Sequence, residues 1–140
     1  MNLAVVLTTD LATCHALRRI VFIEEQNVPE AEEVDGRDGD ALHLLARLDG
    51  QAVGCARILL AGETGKIGRV CVLREWRGHG IGIALINAAL EALRNTEGVE
   101  RAKLGAQTHA IGFYEALGFV AEGPEYLDAG IAHRDMLRAV

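Results

Sequence analysis

Arg77-Gly78-His79-Gly80-Ile81-Gly82 is where this chain concentrates the residue types suited to holding an anion. An apolar run, Val70-Cys71-Val72-Leu73, stops at Arg74-Glu75 just before it, and a long apolar-periodic segment reaching Leu93 follows. This order reads as a strand, a tight glycine loop and the first turn of a helix. Glycine lets the backbone approach a ligand closely and take up positive φ. The free N–H groups of the loop and of the first helical turn then converge on one point, backed by the positive end of the helix dipole. The chemistry implied is the binding of a phosphate or pyrophosphate.

Spacing narrows the choice of ligand. A nucleotide P-loop ends in GK[ST], and this loop does not. A dinucleotide fingerprint, GxGxxG, starting at Gly78 would need its last glycine at Ile83, and one starting at Gly80 would need it at Leu85. That fingerprint also calls for an early strand-loop-helix unit, and this one lies mid-chain.

The pattern that fits is R/Q-x-x-G-x-G/A, carried by Arg77, Gly80 and Gly82. It resembles motif A of the GNAT superfamily, the GCN5-related N-acetyltransferases. Downstream, Ala106–Phe119 (AQTHAIGFYEALGF) is similar to motif B of that family: Gln107 stands at the usual Asn position, and Ala110, Phe113, Tyr114, Gly118 and Phe119 match. The N-terminal half (Arg19, Val21-Phe22, Glu25-Gln26-Asn27-Val28-Pro29, Glu32-Glu33, Asp35, His43, Gly54) and Asp128–His133 with Met136 resemble the small bacterial YjcF-like branch. The likeness covers essentially the whole chain.

The resemblance implies an α/β fold with a mixed, mostly antiparallel central sheet (an α+β arrangement). Helices flank the sheet, which splays open between its fourth and fifth strands to admit acetyl-CoA. It implies transfer of an acetyl group from acetyl-CoA to a primary amine by direct attack, with a small molecule as the leading acceptor. The alternatives are a protein or peptide amine and a non-catalytic CoA-binding regulatory protein. Backbone groups of Val70, Cys71 and Val72 would line the pantetheine arm, and the N–H groups from Arg77 through Gly78, His79, Gly80 and Ile81 to Gly82 would hold the pyrophosphate. Gln107 and Tyr114 would complete the cofactor site. A β-bulge in the fourth strand would free an oxyanion donor, assigned to Val72 or its neighbour. Tyr114 would protonate the departing thiolate. Glu25, Glu33 and His43 are candidate bases because the elements that carry them border the acceptor side in this family, and His133 is a further one. Cys71, beside the expected thioester, is the one candidate for an acyl-enzyme route. Dimers are common in the family, although no interface signature is visible here.

The elements that must position these groups are legible in outline. Residues 3–7 read as a first strand. Thr9 or Asp10 caps a helix that starts near Leu11 and fades at 24–26 ahead of Pro29. The segment 27–40 reads as an acidic loop with room for one helical turn. Strands follow at 42–48 and 53–59, joined by Asp49-Gly50, then at 67–73. A helix runs to about Asn95, a short strand covers 102–106, and a helix capped by Thr108 ends at Leu117-Gly118. The last strands fall at 119–121 and 132–138. Antiparallel runs first and alternating helices later indicate a mixed α/β sheet. No repeat or linker interrupts residues 1–140, which read as one domain.

Bulk properties agree. The 140 residues carry a net charge of -6, which disfavours a nucleic-acid partner. No apolar run is long enough to span a membrane, and MNLAVVLTTD lacks a secretory signal's basic start. Cys14, Cys55 and Cys71 form no CxxC pair, so neither a metal site nor a disulfide framework is implied, and a reducing cytoplasm fits. Eight acids from Glu24 to Asp40 face only Arg37 within that segment. They read either as a solvated loop or as an electrostatic trap for a cationic acceptor.

Overall fold

A computed structural model describes residues 2–140. Seven strands form one sheet in the order β1-β2-β3-β4-β5-β7-β6. They are β1 (Leu3–Thr8), β2 (Leu42–Leu48), β3 (Gln51–Ala61), β4 (Thr64–Val72), β5 (Arg101–Gln107), β6 (Val120–Asp128) and β7 (Ile131–Ala139). Every neighbouring pair is antiparallel except β4 and β5, which run parallel. This is the mixed, mostly antiparallel sheet expected from the sequence.

Helix α1 (Leu11–Arg18) starts at Asp10, whose carboxylate accepts from the Thr13 amide at 3.1 Å. It does not fade as a plain α-helix but runs on as a π-helical segment over Arg19–Glu25. The acidic segment contains one short helix, α2 (Glu30–Glu33), begun by Pro29. Helix α3 spans Ile81–Arg94, and α4 is short, Ile111–Glu115, preceded by a 3₁₀ turn at Thr108–Ala110. Thr108 therefore starts that turn rather than capping the helix. Gly118 ends the segment at φ 90°, the left-handed conformation expected of it.

Strand alternation sends successive side chains to opposite faces. Leu44, Ala46, Ala56 and Ile58 join Ile81, Leu85, Ile86, Leu90 and Leu93 of α3 in the larger core. Leu45, Cys55 and Cys71 join Cys14, Leu17 and Val21 of α1 in the smaller one. The two helices thus cover opposite faces, each fully buried Leu or Ile stabilising by about 1.5–3 kcal/mol.

Two features open the sheet where the site lies. The β4–β5 ladder holds only from Thr64↔Arg101 to Lys66↔Lys103, although β4 continues to Val72 and β5 to Gln107. In the β3–β4 ladder Cys55 faces Cys71 and Arg57 faces Gly68, so Arg69 and Val70 occupy the space that Ala56 alone occupies on β3. That is a β-bulge, with Arg69 at φ 50°.

Strand β6 is longer than the sequence indicates. Between Glu122↔Asp135 and Tyr126↔His133 its register shifts, because Gly123-Pro124-Glu125 bulges out of the ladder. Proline fits there because β6 is an edge strand.

Close packing of α3 on β3 and β4 depends on Gly54. A Cβ there would sit 2.7 Å from the Cys71 carbonyl oxygen and 3.2 Å from Leu85 Cδ1. Gly54→Ala is expected to cost about 1–3 kcal/mol, read as a lower midpoint in equilibrium urea unfolding. An unchanged midpoint would show that β4 and α3 can move apart freely at this position.

Candidate active site

The glycine loop lies between the end of β4 and α3. Gly78 and Gly80 take φ 83° and 78°, the left-handed region that only glycine enters without strain. Gly80 is the N-cap of α3 and places no side chain on the helix end. The first-turn amides, those of Ile81 and Gly82 among them, are therefore free to bind an anion. The Ile81 side chain is buried in the core, so only its backbone is offered. His79 tilts against Trp76 with ring centroids 6.1 Å apart, and Trp76 covers the loop start.

Arg77 has its donors committed within the protein. Its amide donates to the Arg74 carbonyl, its Nε to the Val72 carbonyl at 3.0 Å, and its two Nη groups to both oxygens of Glu25 at 2.7 and 2.9 Å. This fork raises the Arg77 pKa and lowers that of Glu25, each through hydrogen bonding to the other. Glu25 is thereby a strut for the loop, not a free base.

The opened sheet edge carries backbone donors. The Leu73 amide donates to Val53 of β3 at 2.9 Å, so by alternation the Val72 amide points the other way, toward the gap. Val70 has no cross-strand partner on β3 or β5. The bulge expected near Val72 is centred two positions earlier, on Arg69-Val70, and Val72 itself sits in regular register with Gly54. Cys71 turns its sulfur into the α1-side core, 3.5 Å from that of Cys55. It is absent from the cavity wall, which removes the geometric basis for an acyl-enzyme.

A cavity of about 510 Å³ fills the space between the separated strands. Val70, Leu104, Gln107 and Tyr114 border it, as do Phe22, Gln26 and Val28 from the first helical segment and the loop after it. Tyr126 and His133 close the far side. Tyr114 packs edge-on against Phe113 and Phe119, with centroids 5.0 and 6.0 Å away. Burial raises its pKa above the usual phenol value, so it holds its proton at neutral pH. Gln107 donates to Gln26 at 3.1 Å, tying β5 to the end of the first helical segment.

Neither of the other two candidate bases is open to the cavity. Glu33 reaches the cavity wall, but its oxygens accept from Arg18 Nε and Nη2 at 2.6 and 2.9 Å. His43 lies outside the cavity, and its Nε2 donates to the Asp38 carbonyl at 2.9 Å. A carbonyl can only accept, so that nitrogen carries hydrogen and the neutral ring's lone pair is left on Nδ1, on a residue that does not border the cavity.

The acids of 24–40 are largely consumed from outside their own segment. Arg18 pairs with Glu33 and Asp38, Arg57 with Asp35 and Asp38, Arg69 with Asp35, and Arg19 with Glu30. The electrostatic-trap reading is corrected accordingly. Among the described residues only Glu24, Glu32 and Asp40 of that acidic set lack an ion pair. The sequence did hold a signal for this network. Arg18 shares the helical face of Cys14, Leu17 and Val21, and Arg57 interrupts the apolar strand VGCARILL.

Hydrogen bonds from Arg57 bring the Asp35 carboxyl down to about 2, against burial, which pulls the other way. Burial likewise works to raise Asp38, and hydrogen bonds from Arg18 and His15 overcome it and leave it lowered. A depressed carboxylate contributes stability that is complete above its unfolded pKa and lost as pH falls through its folded one. Urea unfolding midpoints are expected to stay level down to about pH 4 and then to fall steeply toward the Asp35 value of about 2. Arg57→Met should lower the midpoint near neutrality and make that fall shallower, because without the Arg57 hydrogen bonds the Asp35 carboxyl moves back toward its unfolded value. A fall as steep as that of the wild type would place the acid sensitivity elsewhere.

Comparison with known proteins bears on this geometry. The model of the acetyltransferase (GNAT) domain family matches residues 13–139. The Bacillus subtilis protein named as the N-acetyltransferase YjcF is 37% identical over 123 residues, covering 87% of each chain. Escherichia coli ElaA is 37% identical over 129 residues, covering 89% of this chain and 84% of its own. The crystal structure of an acyl-CoA N-acyltransferase from Pseudomonas aeruginosa superposes with a TM-score of 0.87 at 35% identity, covering 99% of this chain and all of its own.

Proposed function

The chain belongs to the GNAT acetyltransferase family and is an acetyl-CoA-dependent acyltransferase, and from that premise we propose that it acetylates a primary amine of a small molecule by direct attack. The observation that carries this reading is the cavity between the separated β4 and β5. It is bordered by a bulged backbone and by a protonated tyrosine, and no cysteine among the described residues lines it.

The residues fit acetyl-CoA at each point. The uncapped N-terminus of α3 with Gly78 and Gly80 supplies amides for the pyrophosphate. The Val72 amide and its neighbours along the opened edge of β4 suit the pantetheine arm, which would pair there like an added strand. The bound cosubstrate supplies an activated acetyl thioester. At its reacting end the Val70 amide is placed to hold the carbonyl oxygen as negative charge develops on it, an effect that can contribute a few kcal/mol. The Tyr114 hydroxyl gives its proton to the departing sulfur. The recessed walls between the separated strands, with Phe22, Val28, Leu104 and Tyr126 in them, favour a compact acceptor over a folded protein surface. Three buried, free cysteines accord with residence in the cytoplasm.

Titration calorimetry with acetyl-CoA, using NADH and ATP as controls, is expected to show selective binding of acetyl-CoA. Gly80→Val, which forces a β-branched residue into φ 78°, should weaken that binding at least tenfold; unchanged affinity would remove the loop assignment. Tyr114→Phe is expected to lower kcat by roughly 10- to 100-fold while leaving acetyl-CoA affinity within about twofold. An unaltered rate of thiol release would eliminate the general-acid role.

A further inference from the structure

An alkyl ammonium, with a pKa near 10, enters a neutral solution protonated and has no lone pair for attack. Acetyl transfer to an amine in this cavity therefore calls for a proton acceptor, and most of the basic groups nearby are already bound. Glu33 is held by Arg18, and Asp35, held by Arg57 at a pKa of about 2, is too weak a base. Glu25 and His43 do not border the cavity. Glu32 and Asp128 border it as exposed carboxylates at its mouth.

His133 is different in each respect. It lines the cavity from β7 and is 9% exposed. Its Nδ1 lies 2.6 Å from the Ile131 carbonyl oxygen. Because a carbonyl only accepts, Nδ1 carries the hydrogen, and in the neutral ring Nε2 carries the lone pair. Nε2 has no hydrogen-bond partner among the described residues, and it is not among the atoms sealed from solvent. The ring's orientation is fixed from its face. It stacks on Tyr126 with centroids 5.9 Å apart and 20° between the planes, and Tyr126 is itself anchored by donating to Asp135 at 2.7 Å. Gln107, which also borders the cavity, is its cross-strand partner on β5.

We propose that His133 Nε2 is the general base that deprotonates the acceptor ammonium, with Ile131 and Tyr126 setting its tautomer and aim. This rests on the amine-acetylation reading above. The ammonium N–H bond breaks, its proton moves to Nε2, and the imidazolium passes it to water at the cavity mouth. The neutral nitrogen then forms the C–N bond as the C–S bond breaks. The second nitrogen proton replaces the one that Tyr114 gives to sulfur, so one proton is released per turnover. The charged and titratable groups around His133 are Tyr126 and Asp128 of β6 and, beyond its partner Gln107, His109 of the turn before α4, with Asp135 on its own strand; the same cavity wall carries Tyr114 of α4, Arg57 of β3, Lys66 and Arg69 of β4, and Glu32, Glu33, Asp35 and Arg37 of the acidic segment.

The test begins with thiol release by the wild-type protein with acetyl-CoA and three probe amines: tyramine, 1,4-diaminobutane and glycylglycine. With the best of these, wild-type kcat/KM is expected to rise through a single deprotonation. His133→Gln and His133→Ala are expected to lose roughly 10²- to 10⁴-fold near neutrality and to lose that limb of the profile, with acetyl-CoA affinity unchanged. Added imidazole should restore part of the His133→Ala rate. A variant keeping the wild-type rate and profile overturns the proposal alone. Acetyl-CoA binding without turnover of any probe overturns the amine-acceptor reading together with it, a result visible before any substitution is made. Nitrogen-resolved NMR of the wild-type imidazole needs no variant to fold. Hydrogen on Nδ1 in the neutral ring supports the proposal, and hydrogen on Nε2 overturns it.

Discussion

The burial of Arg18 is the constraint on which the site depends. A guanidinium at 1% exposure is tenable only if its charge and its donors are met inside the protein. Glu33 and Asp38 meet them, and both belong to the acidic segment after α1. Removing either partner would leave a buried charge at a cost of about 3–5 kcal/mol, so the segment is held down over the sheet. Once held, it presents the carbonyls of Glu32 and Glu33 and the carboxylate of Asp35 to Arg69. Arg69 is a non-glycine residue at φ 50°, a conformation that costs about 1–2 kcal/mol. Those bonds hold the bulge in place, and the bulge takes Val70 out of the ladder. A buried ion pair between α1 and the acidic segment thus reaches the bulged end of β4 through backbone geometry.

The separation of β4 from β5 answers a second requirement. Two parallel strands that stay paired would satisfy one another and leave nothing for a ligand. Here the pairing lasts only as far as Lys66↔Lys103. Beyond it the amides on the facing edge of β4 are unpaired, a state usually avoided in a folded sheet. In the proposed reading the ligand completes the edge. Its recognition residues are then unremarkable in type: Val70 and Val72 offer backbone, whereas Cys71 is paired with Cys55 on β3, and Gly78 and Gly80 offer conformational freedom. The groups with distinctive chemistry, Tyr114 and His133, are called on in that reading only where bonds change.

Backbone-based recognition also decides what a sequence can disclose. The glycine loop is legible because positive φ selects glycine, and the Asp49-Gly50 hairpin is legible for the same reason, with φ of 50° and 86°. The two cores follow from periodicity. The bulge is not legible, because Arg69 is not a residue that announces a left-handed conformation; it is held there by contacts from a segment 34–37 positions away in sequence. Strand β6 is hidden by Gly123-Pro124, which reads as a break in the chain's pattern and proves to be a bulge within one strand. Candidate bases chosen because their elements border the family's acceptor side fail because neither element nor residue type reveals commitment: Glu25 and Glu33 are already bonded to arginines, and His43 lies outside the cavity. Arg18, the buried arginine that holds Glu33, was visible as a charge on an apolar face, and that mismatch is the signal a sequence reading should weigh more heavily.

Neutralising the acidic segment internally has a consequence for the chemistry. A free carboxylate beside an ammonium attracts it but also raises its pKa, so the species gathered fastest would be the one hardest to deprotonate. With Glu33 paired to Arg18 and Asp35 to Arg57 and Arg69, the cavity wall offers those charges in compensated form. The carboxylates left free, Glu32 and Asp128, are exposed at the mouth, where solvent screens them and where they can attract a cation without fixing its protonation state inside. Attraction at the entrance and deprotonation at depth are then separated in space, and an imidazole with an open Nε2 is the group left to perform the second.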